Sequence, residues 1–412
     1  MRAPAHAGMR RPIAVAVLFT VLAPLLIYVA ARTAAFEAIE FRAQLGNVLP
    51  PPSAWPDVRR VMRLARRTGG ALPRDAANVA RRAAVAYPLA FEPYFIAGRV
   101  AERAGRYGDA VRLMEEARRR RPNYAPTRVH LLGYYSLANA YQRAIDEADA
   151  AIRANLQTRQ YILPAFARLV ALDPEAREAV GVALARGPIW ESEFYTVAAL
   201  ANMKPSDAEA LVRSVRAQPR NRGDHAAQNA FLVESFVRAG DYRRGRELWV
   251  ASGGDASGAL VVDADFTRNA RPPFGWALTS NAEGVAERAR ATGGEPAHLA
   301  VTYYGSGPAR LAEQILVLPP GRYRLAVRAR MDGGGEDVRL RWHVLCRPGN
   351  RALVTADLPV TPDPRTTSAT FEVPAACPAQ TLLLAGDPGD LPRTLSAQIY
   401  EVRVTPVRAA AR

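Results

Sequence analysis

The chain superposes on itself at an offset of 34 residues, and no other feature constrains its fold as much. Under that offset Ala76, Ala110 and Ala144 coincide; so do Ala80, Met114 and Ala148, and likewise Ala83, Ala117 and Ala151. Pro88 and Pro122 close two of the three units. Small side chains seven residues apart share one helical face and let a second helix approach closely. The prolines fall where such a helix must stop, because the residue before a proline is pushed out of the α region. A unit this short cannot bury its own apolar face, so the units must stack.

Upstream of the second unit, Tyr94, Ala97, Gly98 and Ala101 stand at the positions of the helix signature Trp-x2-Leu-Gly-x2-Tyr. Residues 91–124 therefore resemble one complete tetratricopeptide repeat, with less regular neighbours at 57–90 and 125–158. In the last of these Leu132 replaces the glycine and Leu156 the proline. AGDYRRGRELW (239–249) echoes AGRYGDAVRLM (104–114), whereas 159–224 reads as helices without a clear period. The span 57–252 is expected to be an all-α, tetratricopeptide-like solenoid. That resemblance implies a surface docking a protein partner.

The N-terminus bears on the compartment. Ile13 to Ala31 is 19 residues without a charge, about 28 Å as a helix, which suits the bilayer core. Arg2, Arg10 and Arg11 precede it, and Glu37 and Glu40 offset Arg32 beyond it. The positive-inside bias then puts residues 1–12 in the cytoplasm, 13–31 in the membrane as a transmembrane helix, and a juxtamembrane helix and linker at 32–56 outside. A single-pass inner-membrane protein with a periplasmic bulk is the expectation. A cleaved signal peptide is the competing reading; both export the rest.

The formal net charge is +16, and Lys204 is the only lysine among 55 basic residues. The excess over acids is spread: 4 against none in 1–35, 33 against 23 in 36–252, and 18 against 16 in 253–412. A nucleic-acid-binding domain would concentrate it, so no nucleic-acid partner is expected. Arg118 to Arg121 form one run of four, placed in the last turn of a repeat helix ended by Pro122. Cations there suit the helix dipole. A solvated helix end is favoured over an anion-binding patch.

Beyond the linker SGGDASG, whose core is 253–258, the period changes from helical to alternating. YRLAVRA (323–329), VRLRWHVLC (338–346) and SATFEVP (368–374), bounded by turn clusters, argue an antiparallel β-sandwich over 259–407, with a short tail at 408–412. LVVDADFTRNARPPFGW (260–276), AEQILVLPPGRYRLAVRAR (312–330) and AQIYEVRV (397–404) are similar to the opening, central and closing strands of galactose-binding-like, carbohydrate-binding-type jelly rolls. The resemblance implies glycan contact. Asp263-Ala264-Asp265 departs from the Asn-Gly that often accompanies a structural calcium, and no calcium is expected. Trp342 reads as core; Trp276 is a candidate sugar-stacking platform, although core packing is the stronger reading. Cys346 and Cys377, the only cysteines, are expected to form one disulfide in an oxidising compartment, two buried thiols being the alternative.

Alternation also places Arg322, Arg324, Arg328 and Arg330 on one side of their strand and Arg339, Arg341 and His343 on one side of the next. Joined as a hairpin by the glycine-rich loop 332–337, the two strands would gather six arginines on one face. Glu372 and Glu401 could neutralise it, or an acidic polysaccharide could. Catalytic signals are thin. His6, His130, His225, His298 and His343 are scattered, and the metal-ligand spacings and nucleophile elbow are missing. Asp263, Asp265, Glu283, Glu287 and Glu313 single out no acid pair. No catalytic residue, metal or cofactor is assigned.

This order of parts resembles tetratricopeptide proteins of exopolysaccharide or capsule production in the bacterial envelope. It implies a non-catalytic protein whose solenoid docks a partner and whose jelly roll contacts glycan. A pure assembly scaffold and a glycan-acting envelope enzyme are the alternatives.

Overall fold

The computed structural model describes residues 54–68, 70–201, 203–219, 221–333 and 337–407. The expected tail 1–12, membrane span 13–31, most of 32–56 and the tail 408–412 lie outside the described residues. Among the described residues no helix is long and apolar enough to cross a membrane. The expected single-pass, inner-membrane localisation with a periplasmic bulk is corrected accordingly. It rested on 13–31 alone, and the described fold contains no span.

Twelve α-helices precede ten strands among the described residues. The helices are α1 Trp55–Arg67, α2 Ala76–Ala86, α3 Glu92–Arg103, α4 Tyr107–Arg120, α5 Ala125–Leu137, α6 Tyr141–Ala154, α7 Arg159–Leu172, α8 Pro174–Leu184, α9 Glu191–Leu200, α10 Pro205–Arg216, α11 His225–Arg238 and α12 Tyr242–Ala251. The strands are β1 Ala277–Leu278, β2 Gly284–Ala289, β3 His298–Tyr303, β4 Ala309–Leu316, β5 Gly321–Gly333, β6 Arg339–Arg347, β7 Arg351–Asp357, β8 Thr361–Val373, β9 Ala379–Asp387 and β10 Leu395–Pro406. The chain divides into two compact units, one up to Phe231 and one from Leu232 onward.

In the first unit the small residues of the 34-residue recurrence are the ones that disappear from solvent. All nine positions, on α2, α4 and α6, are at most 2% exposed. Pro93, Pro126, Pro174 and Pro205 sit in the first turns of α3, α5, α8 and α10, where a missing N–H costs nothing. Gly105 (φ 71°) and Asn139 (φ 55°), 34 positions apart, reverse the chain in the left-handed region between α3 and α4 and between α5 and α6. Packing within the pairs is complementary. A Cβ added at Gly98 would lie 3.0 Å from Met114 Cε. One repeat on, the equivalent positions are held by Leu132 and Ala148, both buried.

The four consecutive arginines are consumed by the fold itself. Arg118 pairs with Glu147, which also accepts from Arg128 Nη1 at 2.7 Å. Arg119 pairs with Glu116. Arg120 lies 3.8 Å above the Tyr94 ring and donates from Nε to the Pro88 carbonyl at 2.8 Å. Arg121 lies over Phe91 and Tyr124. Stacking and carbonyl contacts of this kind use the planar guanidinium as lysine could not. Glu147 is buried, so Glu147→Ala leaves Arg118 and Arg128 facing an apolar gap. A loss of about 1–3 kcal/mol in urea denaturation is expected, the partial exposure of Arg118 tempering it. Glu147→Gln, which keeps one acceptor, should lose less. Equal midpoints for wild type and Glu147→Ala would show both arginines to be solvated instead.

The second unit is a two-sheet sandwich, both sheets antiparallel. One sheet runs β1-β4-β9-β6-β7 and the other β2-β3-β10-β5-β8. Leu325, Val327 and Ile399 of one sheet and Leu340, Trp342 and Leu384 of the other share the core. Helix α12 and the end of α11 belong to this unit. Val233, Val237, Tyr242 and Trp249 form a second cluster with Val262, Phe274, Ile315 and Ala379, on the outer side of the first sheet. The sequence placed the division at 253–258, whereas the contacts place it between Phe231 and Leu232. SGGDASG is a structured turn: Asp255 accepts from the Ser257 amide and pairs with Arg268. A Cβ on Gly254 would stand 2.2 Å from the Trp249 ring.

Candidate functional site

The alternation read for the two arginine-bearing strands is realised. Tyr323, Leu325, Val327, Ala329 and Met331 are buried on β5, and Leu340, Trp342, Val344 and Cys346 on β6. The arginines between them point outward. Their neighbourhood differs from the expected hairpin. β5 pairs with β8 and β10, whereas β6 pairs with β7 and β9. β5 and β6 thus belong to different sheets. The single face of six arginines is therefore corrected to two: Arg322, Arg324, Arg328 and Arg330 on the outer side of one sheet, Arg339 and Arg341 on that of the other. A glycine-rich loop permits a tight turn between paired strands but does not require one.

The two faces have different electrostatics. On β6, Arg341 reaches Asp357 from Nε and Asp387 from Nη1, both at 2.8 Å, and Arg339 approaches Asp357 at 3.8 Å. Beside them His343 Nδ1 lies 3.0 Å from the Thr355 hydroxyl, and burial pushes the imidazole down. This face is neutralised from within. On the other sheet Arg330 pairs with Glu295 at 3.1 Å, and Tyr400 donates to Gln398 at 2.6 Å beside it. Arg322, Arg324 and Arg328 are exposed and have no carboxylate within ion-pair distance among the described residues. Arg328 lies 5.7 Å from the Tyr400 ring centre. Of the two acids expected to compensate, Glu372 stands opposite Arg322 in register and Glu401 opposite Arg328. Glu401 bonds Arg403 at 2.5 Å.

Arg403 escaped the sequence reading. It lies on β10 opposite Ala326, the one position in the outward row of β5, from Arg322 to Arg330, that is not an arginine. Its outward direction was legible, since Val402 and Val404 alternate with it. Its neighbour was not, because a bulge between Ile399 and Glu401 resets the register. On the far side, β8 sets Thr370, Ser368 and Thr366 opposite Arg324, Ala326 and Arg328. All three hydroxyl residues are exposed.

Trp276 is removed as a sugar platform. It is 2% exposed, packs on Phe266 and edge-on to Trp342 at 5.8 Å, and donates to the Asp263 carbonyl at 3.0 Å. The loop that carries it folds inward between the sheets. Of the acids singled out in the sequence, Asp263, Asp265 and Glu313 have structural work, while Glu283 is half-buried and Glu287 exposed. Asp263 is fully buried and accepts from the Arg268 amide at 2.7 Å and from Arg288 at 3.2 Å. Burial pushes its carboxyl up, against the pull of those two donors. Asp265 accepts from the Thr267 hydroxyl, and Glu313 pairs with Arg310. Buried Gln314 closes two bonds with the backbone of Val262, at 2.9 Å each, tying the entering segment to β4. Cys346 and Cys377 are joined by a disulfide with Cα atoms 5.6 Å apart. It links the end of β6 to the turn before β9, its neighbour in the sheet. Among the described residues no group of three or more His, Cys, Asp or Glu could hold a metal ion.

No protein-family model matches the chain, and no curated protein matches it. Solved structures do. Over 36% of its length the chain is similar to a CBM4 structure, of which it covers 99% at 13% identity and a TM-score of 0.28. Over 37% it is similar to TmCBM61 in complex with beta-1,4-galactotriose, covering 100% of that chain at 13% identity and a TM-score of 0.26. Over 36% it is similar to the CBM22-1 xylan-binding domain of Paenibacillus barcinonensis Xyn10C, covering 94% at 14% identity and a TM-score of 0.27. These neighbours are carbohydrate-binding modules with a jelly-roll sandwich. At such identities and scores the likeness assigns no ligand to this chain.

Proposed function

We propose that this is a non-catalytic glycan-contacting protein. The outer face of the β2-β3-β10-β5-β8 sheet is the contact surface, and the helical unit, a tetratricopeptide-type solenoid, docks a protein partner. Assembly or export of an exopolysaccharide or capsule is the setting that suits both. One observation carries the glycan part: along β5, β8 and β10 this sheet presents an exposed row of arginine and hydroxyl side chains, whereas α12 and the end of α11 pack on the outer side of the other sheet. Flat polar faces with directional donors suit sugar hydroxyls and acidic groups. The non-catalytic part is supported by three of the five acids singled out in this unit, since Asp263, Asp265 and Glu313 are each committed to an ion pair or a loop hydrogen bond. The disulfide fits an oxidising compartment.

Native electrophoresis of the purified chain through gels holding single soluble polysaccharides tests this reading. Retardation by at least one, with no reducing ends released on long incubation, is the expected result. Release of reducing ends would make the protein an enzyme. Mobility unchanged throughout a broad panel, neutral and acidic, would leave only the protein-docking role.

A further inference from the structure

We propose that the ligand of this face is a polyanionic glycan, read by a row of four arginines along β5 and β10. The proposal rests on glycan contact by the same sheet and names the class of polymer. Arg322, Arg324 and Arg328 project from β5, and the step left vacant at Ala326 is filled from the neighbouring strand by Arg403. Successive outward positions on a strand are about 6.6 Å apart. The row thus offers a guanidinium at each step over about 20 Å, parallel to β5.

Like charges at adjacent positions repel, and a sheet face normally answers them with acids. The β6 face does so with Asp357 and Asp387. Here four arginines meet two carboxylates. Glu401 is bonded to Arg403, and Glu372 stands at the end of the row. The missing counter-charge belongs to something outside the chain. Its shape follows from the row, which is exposed, runs along β5 and steps across to β10 once, so an extended polymer bearing an acid at intervals fits. Each guanidinium can grip a carboxylate through two parallel N–H bonds. Thr366, Ser368 and Thr370 lie alongside to bond sugar hydroxyls. Single-stranded nucleic acid fits less well, because it needs exposed aromatic platforms, and the aromatics of these strands, Tyr323, Phe371 and Tyr400, are buried. A membrane surface fits less well too, since none of the exposed large apolar residues lies on β5, β8 or β10.

The test uses the full chain and a matched pair of probes, polygalacturonate and its fully methyl-esterified form, which differ only in charge. Polygalacturonate should retard the protein and the ester should not. Affinity should fall about tenfold between 0.05 and 0.5 M NaCl. The triple variant Arg324→Gln, Arg328→Gln, Arg403→Gln should lose about tenfold or more while its thermal unfolding is unchanged. Arg339→Gln with Arg341→Gln, on the opposite sheet, should bind as wild type does. Equal binding of both probes, or a triple variant that still binds, would overturn the arginine row and leave glycan contact standing. Loss in the opposite-sheet variant alone would move the site to the other face and overturn it as well. Retardation by DNA or by phosphatidylglycerol vesicles, with none by either polysaccharide, would overturn the arginine row as a glycan site and leave glycan contact to the broad panel.

Discussion

Trp249→Ala lowers the stability of the second unit by about 3–5 kcal/mol, the range for deleting a buried tryptophan. Trp249 is 6% exposed and sits edge-on to Phe274 at 5.9 Å. Its indole N–H donates to the Arg271 carbonyl at 3.0 Å. The guanidinium of Arg246 lies over both rings. Removing the indole opens a cavity between α12 and the sheet and strands a backbone carbonyl. The backbone of Gly254, drawn up against the ring, cannot close over it. Denaturation followed by near-ultraviolet circular dichroism should show the midpoint of the sandwich transition falling while that of the helical unit holds. A shift under about 1 kcal/mol would mean that α12 is an ornament on the sheet. The same cluster fixes where the chain can be cut. A fragment beginning at 225 keeps Val233, Val237, Tyr242 and Trp249 over Ile315, whereas one beginning at 253 exposes that patch and should aggregate.

Replacing Cys346 and Cys377 together by serine should cost about 2–4 kcal/mol. The bridge spans 31 positions of sequence, so its loss returns substantial chain entropy to the unfolded state. It also releases the turn that precedes β9, where Gln380 bonds the Leu318 amide and the Cys377 carbonyl. Unfolded, unreduced wild type should bind no thiol reagent. Labelling of two thiols per chain, or equal stability with and without reductant, would contradict this.

What could be read beforehand divides along a physical line. Periodicity is local, so the buried face of α2, α4 and α6 and the inward side of β5 and β6 were legible residue by residue. The pairing of Cys346 with Cys377 was legible because a chain with two thiols offers one partner. Strand adjacency is not local. Nothing between Met331 and Val338 distinguishes a turn within one sheet from a passage to the other, and that distinction decides which arginines are neighbours. Arg403 entered the row for the same reason, brought beside Ala326 by a partner more than seventy positions away in sequence. Trp276 failed as a platform because a loop tryptophan between Phe274 and the strand core gains more from burial than from exposure. The domain division failed because a glycine-serine composition marks a turn, while the helix ahead of it was already committed to the sandwich.

The residues at these equivalent positions, Gly98 with Met114 and, 34 positions on, Leu132 with Ala148, have a consequence for recognition of the recurrence in other sequences. The large residue stands on the second helix in one repeat and on the first in the next, so neither position alone predicts its partner. A profile that scores columns independently penalises Leu132 for the missing glycine and gives no credit to the alanine that stands where Met114 stood one repeat earlier. Joint scoring of the two columns would give such units their due without any new structure.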